Sequence, residues 1–287
     1  MRKPINRIEA VLFDWAGTMV DYGCMAPLAA FIDLFRERGI DLTVQEAREP
    51  MGLLKRDHLR RLLALPSVSA QWQNRYGQLP GEAELDELYR RFEAALFATL
   101  GAHTEPVPGA LELVRALRHE GIRIGSTSGY TKQMLTVVAE GAAQKGYRPD
   151  YWIAADEVAA GRPAPYMCYR NMIELQVYPA GACVKVGDTL SDIAEGRNAG
   201  MWTVGVIVGG SELGLTEQEV QSMNAEQLAL RKEAARSRFL RAGAHEVIDS
   251  IRDLAGAVGR LDNMLAELRR RGEEADEAWA WTRSAIR

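Results

Sequence analysis

The chain has only three cysteines in 287 residues, Cys24, Cys168 and Cys183. Their scattered spacing forms neither a disulfide framework nor a zinc-binding pattern, which suits a reducing compartment and leads us to expect a cytoplasmic protein. Long apolar runs are missing too. No stretch approaches the roughly 18 uncharged apolar residues of a membrane span. After the basic N-terminus (Arg2, Lys3, Arg7), the apolar run Val11-Leu12-Phe13 ends at Asp14, too soon for a signal-peptide core. There is no surplus of positive charge: 35 Lys and Arg face 39 Asp and Glu, a net charge of −4, so nothing electrostatic points to nucleic acid or an anionic membrane. Internal repeats and low-complexity tracts are absent as well. What is there is an ordinary globular composition, 47% hydrophobic and 26% charged, long enough for one large domain with an insertion or two modest ones. A small-molecule partner is the better expectation.

Four short apolar runs read as buried strands. Ile8 to Phe13 runs into Asp14-Trp15-Ala16-Gly17-Thr18, and Ile122 to Gly125 runs into Ser126-Thr127-Ser128-Gly129 after a helical pattern from Ala110 to Glu120 that Gly121 stops. Cys183 to Val186 runs into Gly187-Asp188-Thr189, followed by a helix from about Ser191 that Gly200 ends, and Thr203 to Val208 is the fourth. Strands alternating with helices argue for an α/β fold with a parallel, Rossmann-like sheet covered on both faces. Ligands bind beyond the carboxyl ends of such strands. Asp14, Ser128 and Asp188 would therefore converge on one crevice.

Between the first two strands, Ala26 to Leu100 is helical in pattern, with Phe31-Leu34-Phe35 and Leu85-Leu88-Phe92-Leu96 as apolar stripes broken by Pro50, Pro66 and Pro80. We expect an inserted all-helical cap domain (23–104) on a core domain (1–22 and 105–258). Tyr22-Gly23 is the outgoing hinge and Glu105 to Gly109 the return, a layout suited to opening and closing over a site. Glu217 to Arg241 reads as one charged helical stretch. Leu261-Leu265-Leu268 followed by Arg269-Arg270-Arg271 suggests a C-terminal helical tail (259–287) with a solvated tip and a surface or oligomer-contact role.

A carboxylate directly after an apolar strand, backed by Gly17 and Thr18, can attack a phosphoryl group or hold a divalent metal; it can also be a turn residue. The pair Asp188 and Asp192 flanks a strand-to-helix turn. One carboxylate from each of two strand ends plus a backbone carbonyl would suit Mg²⁺. Asp192 has a second reading as the cap of the following helix.

These motifs, with the basic Arg162 between them, resemble the four ordered motifs of the haloacid dehalogenase superfamily. Within it, the run from Asp14 to Cys24, Pro50-Met51-Gly52-Leu53-Leu54-Lys55-Arg56-Asp57-His58 and Gly125 to Tyr130 resemble the phosphonatase family, over about residues 5 to 258. The resemblance implies Mg²⁺, a homodimer and hydrolysis of phosphonoacetaldehyde in the breakdown of phosphonates such as 2-aminoethylphosphonate. It implies Asp14 as a nucleophile that becomes an aspartyl phosphate, with Asp14, the Ala16 carbonyl and Asp188 around the metal and Asp192 behind them. Lys55 would form a Schiff base, and Ser128 and Arg162 would bind phosphoryl oxygens. Cys24, Met51, Gly52 and Tyr130 would line the substrate pocket, with ordinary packing the competing reading for Cys24, Met51 and Tyr130. His58 would shuttle protons or be a structural histidine. Arg162 departs from the Lys of many relatives, but a guanidinium keeps the charge and can grip two oxygens. Which of Ser126, Thr127 and Ser128 touches phosphate stays open.

The chemistry can be checked on the residues. Phosphatases of this superfamily usually carry an acid two positions after the nucleophile, to protonate a leaving alkoxide. Here that residue is Ala16. A carbon leaving group needs an electron sink instead, and a protonated imine on Lys55 is one, provided burial or a nearby cation lowers the pKa of the amine. On its own, Lys55 would read as a solvated helix residue. A phosphomonoesterase or phosphomutase, indifferent to Lys55, and a catalytically silent binding protein are the alternatives.

Overall fold

The computed structural model describes residues 7–270, and its parallel sheet of six strands follows from the apolar runs. The strands are β1 (Ala10–Phe13), β2 (Arg123–Ser128), β3 (Tyr151–Ala154), β4 (Cys183–Gly187), β5 (Trp202–Val206) and β6 (Glu246–Ile248), in the order β3-β2-β1-β4-β5-β6. Alternation along β1 serves two faces. Val11 and Phe13 belong to the main core, whereas Ala10 and Leu12 pack with Cys168, Leu175 and Ala199 on the other side.

The order reverses between β1 and β4, which is where a doubly wound sheet opens a crevice at its carboxyl edge. Register lines up the three motifs there. Phe13 is opposite Ser126 on one side and Val186 on the other, so Asp14, Thr127 and Gly187 continue the same row.

Five helices lie between β1 and the rest of the sheet: α1 (Met25–Glu37), α2 (Val44–Arg48), α3 (Lys55–Leu63), α4 (Pro66–Tyr76) and α5 (Glu82–Leu100). The stripes on α1 and α5 are buried against each other, with Phe31 stacked on Phe92 at 4.2 Å between ring centroids. Pro66 opens α4 at its first position, where its missing N–H costs nothing, while Pro50 lies in the turn between α2 and α3. The two linkers of the insert run side by side: Val20 bridges to Pro106, Val107 donates to the Met19 carbonyl at 2.9 Å, and Asp21 accepts from His103 Nδ1 at 2.9 Å.

The remaining helices are α6 (Ala110–His119), α7 (Lys132–Gln144), α8 (Tyr166–Leu175), α9 (Leu190–Asn198), α10 (Glu217–Ser222), α11 (Ala225–Arg241) and α12 (Leu254–Arg270). Three departures from the sequence expectations stand out. The charged stretch 217–241 is two helices, because the Asn224 side chain accepts from the Glu226 and Gln227 amides and starts α11 afresh. The boundary expected at residue 258 falls inside α12, whose Leu254, Leu261 and Leu265 are buried in the main core, so the first part of the expected tail packs on the core domain. The rest of that tail, from Arg271 on, lies outside the described residues. Finally, Ser126 to Ser128 belong to β2 instead of following it. Among the described residues no helix is long and apolar enough to cross a membrane.

Candidate active site

At the end of β1 the chain makes a tight turn in which the Thr18, Met19 and Val20 amides all converge on the Trp15 carbonyl, at 3.2, 2.8 and 3.0 Å. The buried Trp15 ring anchors this turn against Tyr147. Asp14 is left at the mouth of the crevice between β1 and β4. Gly17 has φ +85°, and a Cβ there would lie 2.2 Å from Asp188 Oδ2, so both the backbone conformation and the approach of Asp188 require glycine.

Asp188 is held at both oxygens: Thr18 Oγ1 donates to Oδ1 at 2.9 Å and the Ser211 amide to Oδ2 at 2.7 Å. Burial, and next the neighbouring carboxylates of Asp14 and Asp192, push the Asp188 carboxyl well above the usual carboxylate range. One oxygen from each of Asp14, Asp188 and Asp192 falls within 4.8 Å of the others. Three converging hard oxygen donors, one of them at odds with its like-charged neighbours, fit a divalent cation such as Mg²⁺.

Behind this cluster lies a buried charge network. Lys185 donates to Asp192 Oδ1 at 2.7 Å, and Arg162 reaches the same oxygen at 3.1 Å. Burial opposes ionisation of Asp192, but these two cations outweigh it and hold its carboxyl below the ordinary value. Asp192 Oδ2 also accepts from the Thr189 amide and hydroxyl, so the capping role and the site role coexist. Arg162 Nη2 donates to Asp14 Oδ1 at 2.9 Å. Its Nε donates to Glu195 Oε2 at 3.0 Å.

The insert closes the site. A small cavity is lined by Asp14 and Ala16 from the β1 turn, Ser128 at the end of β2 and Tyr130 just after it, Arg162, and Cys24, Met51, Gly52 and Lys55 from the insert side. Gly52 (φ +86°) lets the insert backbone press on α9, since a Cβ there would lie 2.2 Å from Ser191 Oγ. Lys55 opens α3 and is 4% exposed, with Nζ 5.1 Å from the centroid of the Tyr130 ring. Burial lowers the Lys55 pKa, helped by the Arg162 charge, against the opposing pull of the Asp14 carboxylate. Burial also keeps the Cys24 thiol and the Tyr130 phenol protonated by pushing both well up. The hydroxyls of the Ser-Thr-Ser run separate: Ser126 donates to the Phe13 carbonyl, Thr127 to Glu195, and Ser128 alone of the three lines the cavity. His58 is not brought to the cavity wall. It stacks on Phe31 at 3.9 Å, its Nε2 donates to the Ala47 carbonyl at 2.9 Å, and burial followed by the nearby Lys55 charge drives its pKa well down.

Comparison with known proteins extends these observations. A family model described as haloacid dehalogenase-like hydrolase matches residues 8–200. The chain is a haloacid dehalogenase-like hydrolase. Among this hydrolase's relatives, the phosphonoacetaldehyde hydrolases of Bacillus cereus and Bacillus cytotoxicus are 52% and 54% identical over 256 residues, spanning 89% of this chain and 97% of each relative. A crystal structure of a phosphonoacetaldehyde hydrolase-like protein from Oleispira antarctica matches with a TM-score of 0.89 at 36% identity, covering 93% of this chain and 98% of that one. A β-phosphoglucomutase from Clostridium difficile, 21% identical with a TM-score of 0.63, shares the fold.

Sequence reasoning missed three residues that shape the site of this hydrolase: Lys185, Glu195 and Ser211. Lys185 and Glu195 carried one usable signal. A lysine inside an apolar strand, and a glutamate three positions beyond Asp192 on the face of α9 that meets β4, are both charges in places that burial should forbid unless they are paired.

Proposed function

We propose that this hydrolase cleaves the carbon–phosphorus bond of phosphonoacetaldehyde, giving acetaldehyde and phosphate. The observation that carries the proposal is the burial of the Lys55 amine in the same small cavity as Asp14, where Ala16 leaves no acid to protonate an alkoxide. The names of relatives at about half identity over nearly their whole length support the same substrate.

The residues suit the following sequence. Lys55, with its pKa lowered by burial, presents a neutral amine fraction that adds to the aldehyde and expels water, giving a protonated imine. Asp14 attacks phosphorus in line. The C–P bonding electrons flow toward the iminium nitrogen, leaving a neutral enamine on Lys55 and a phosphoryl group on Asp14. Water then cleaves the aspartyl phosphate. The enamine is protonated on carbon, and hydrolysis of the resulting iminium releases acetaldehyde and restores the amine.

Ser128 and Arg162 hold the phosphoryl oxygens, and Cys24, Met51, Gly52 and Tyr130 enclose the two-carbon aldehyde. Asp14, the Ala16 carbonyl and Asp188, with Asp192 behind them, would hold Mg²⁺, which neutralises phosphoryl charge during transfer. The helical insert acts as a cap that excludes water from the imine. His58, neutral and outside the cavity wall, serves to seat α3.

Borohydride added with phosphonoacetaldehyde should leave a stable two-carbon adduct on Lys55, identified by peptide mass, and Lys55→Ala should lose both adduct and turnover. Full activity in Lys55→Ala, or phosphate release from p-nitrophenyl phosphate at the rate of phosphonoacetaldehyde, would overturn the proposal.

A further inference from the structure

Donor accounting around Arg162 singles out a residue that the reaction sequence above does not use. A guanidinium has five N–H bonds in a rigid fork. The single Nε–H is directed to Glu195 Oε2 at 3.0 Å. Nη2 is saturated by Asp14 Oδ1 at 2.9 Å, the Thr127 carbonyl at 3.0 Å and Thr127 Oγ1 at 2.7 Å. For Nη1, the polar contact recorded is the Gly52 carbonyl at 3.5 Å, at the outer limit of a hydrogen bond. Gly52 and Arg162 both line the cavity, so Nη1 is the nitrogen with capacity left for a ligand oxygen.

Glu195 is only partly satisfied where it lies. It is 0% exposed on α9, and its Oε1 is buried among the described residues without a hydrogen-bond partner, an arrangement that costs stability. Its Oε2 collects the Thr127 hydroxyl at 3.0 Å, Arg162 Nε at 3.0 Å and Lys185 Nζ at 3.6 Å. Without that anchor, the guanidinium is free to turn both ends of its fork toward Asp14 and Asp192, which already share Nη2. Nη1 would then leave the cavity.

We propose that Glu195 is a positioning residue that pins the Nε edge of Arg162 and so aims Nη1 at the phosphoryl group; this rests on the reading of Arg162 as a phosphoryl ligand. A lysine at 162 has no such edge to pin. Glu195 thus belongs with the arginine.

The test measures the affinity of the Mg²⁺-loaded enzyme for inorganic phosphate by calorimetry, KM and kcat for phosphonoacetaldehyde, and Tm, in Glu195→Ala, Glu195→Gln, Arg162→Lys and the Arg162→Lys/Glu195→Ala double variant. In Glu195→Ala, phosphate binding should weaken and KM rise roughly tenfold to a hundredfold, as expected for loss of a charge-assisted hydrogen bond. Tm should fall, because Arg162 Nε and Lys185 lose a buried counter-charge, so phosphate affinity is read on the folded enzyme. Glu195→Gln, which keeps the shape and an acceptor oxygen, should change in the same direction by less and carries the test if the alanine variant does not fold. In the Arg162→Lys background, Glu195→Ala should alter phosphate affinity by less than about threefold, because no Nε remains to be held. Phosphate affinity within about twofold of wild type in both Glu195 variants, or an equal effect in both backgrounds, would overturn the inference. In a further variant, Arg162→Ala, unchanged phosphate affinity would instead overturn the role given to Arg162 itself.

Discussion

Replacing Gly17 by alanine tests whether the approach of the β1 turn to Asp188 governs metal binding. The added Cβ would lie 2.2 Å from Asp188 Oδ2, 2.8 Å from its Cγ and 3.2 Å from Cys24 Cβ. Ordinary contact distances are about 3.5 Å, so something must move by roughly 1 Å. Asp188 cannot simply rotate away, because Thr18 and the Ser211 amide hold its two oxygens. The positive φ adds strain of about 1–3 kcal/mol. Gly77→Ala is the control: its φ of +76° is similar, but nothing lies within 4 Å of the new methyl. Both variants should lose comparable stability from the backbone. In Gly17→Ala alone, Mg²⁺ affinity measured by titration calorimetry should fall roughly 10–100-fold, the range seen when groups that orient metal ligands are disturbed. A Gly17→Ala enzyme with Mg²⁺ affinity within about twofold of the Gly77→Ala control would refute the reasoning.

The raised Asp188 pKa makes two statements about stability. A carboxyl raised on folding is unstrained below its unfolded pKa of about 4, and destabilises increasingly as the pH rises through its folded value. Mg²⁺ should therefore raise Tm more at pH 8 than at pH 5, with about 2.7 kcal/mol gained at a hundredfold excess over Kd, and Asp188→Asn should raise Tm without Mg²⁺ and lose the response; calorimetric scans that show no Mg²⁺ effect in the wild type would contradict this. His58 has a depressed pKa, so the stability it contributes is present above its unfolded value near 6.5 and is lost as the pH falls below it. His58→Phe, which keeps the stack on Phe31, should flatten the fall in denaturant midpoint between pH 7.5 and pH 5; an unaltered pH slope would count against a buried neutral ring.

Much of the fold was legible because its signals are local. β1, β2, β4 and β5 each pair an apolar run with a polar turn, and the stripes on α1 and α5 repeat at helical spacing. Two strands went unread. β3 and β6 are edge strands of four and three residues, too short to show a period, and they exist by pairing with β2 and β5 far away in the chain. The break at Asn224 escaped because a capping side chain inside a charged stretch looks like one more polar residue.

The same division runs through the site. From the sequence alone came the carboxylates at strand ends and the alanine two positions after Asp14, because strand-turn chemistry is written in neighbouring positions, whereas Lys55 was singled out only through the family resemblance. Only tertiary structure decided which groups are free to act. It committed Ser126 and Thr127 to internal hydrogen bonds and left Ser128 at the cavity, turned His58 toward Ala47, and buried Lys55 beside Tyr130. It also set Lys185 and Glu195 beneath Arg162. Desolvation and charge pairing act over a few ångströms between residues up to a hundred or more positions apart, so they exist only once the sheet has brought those residues together.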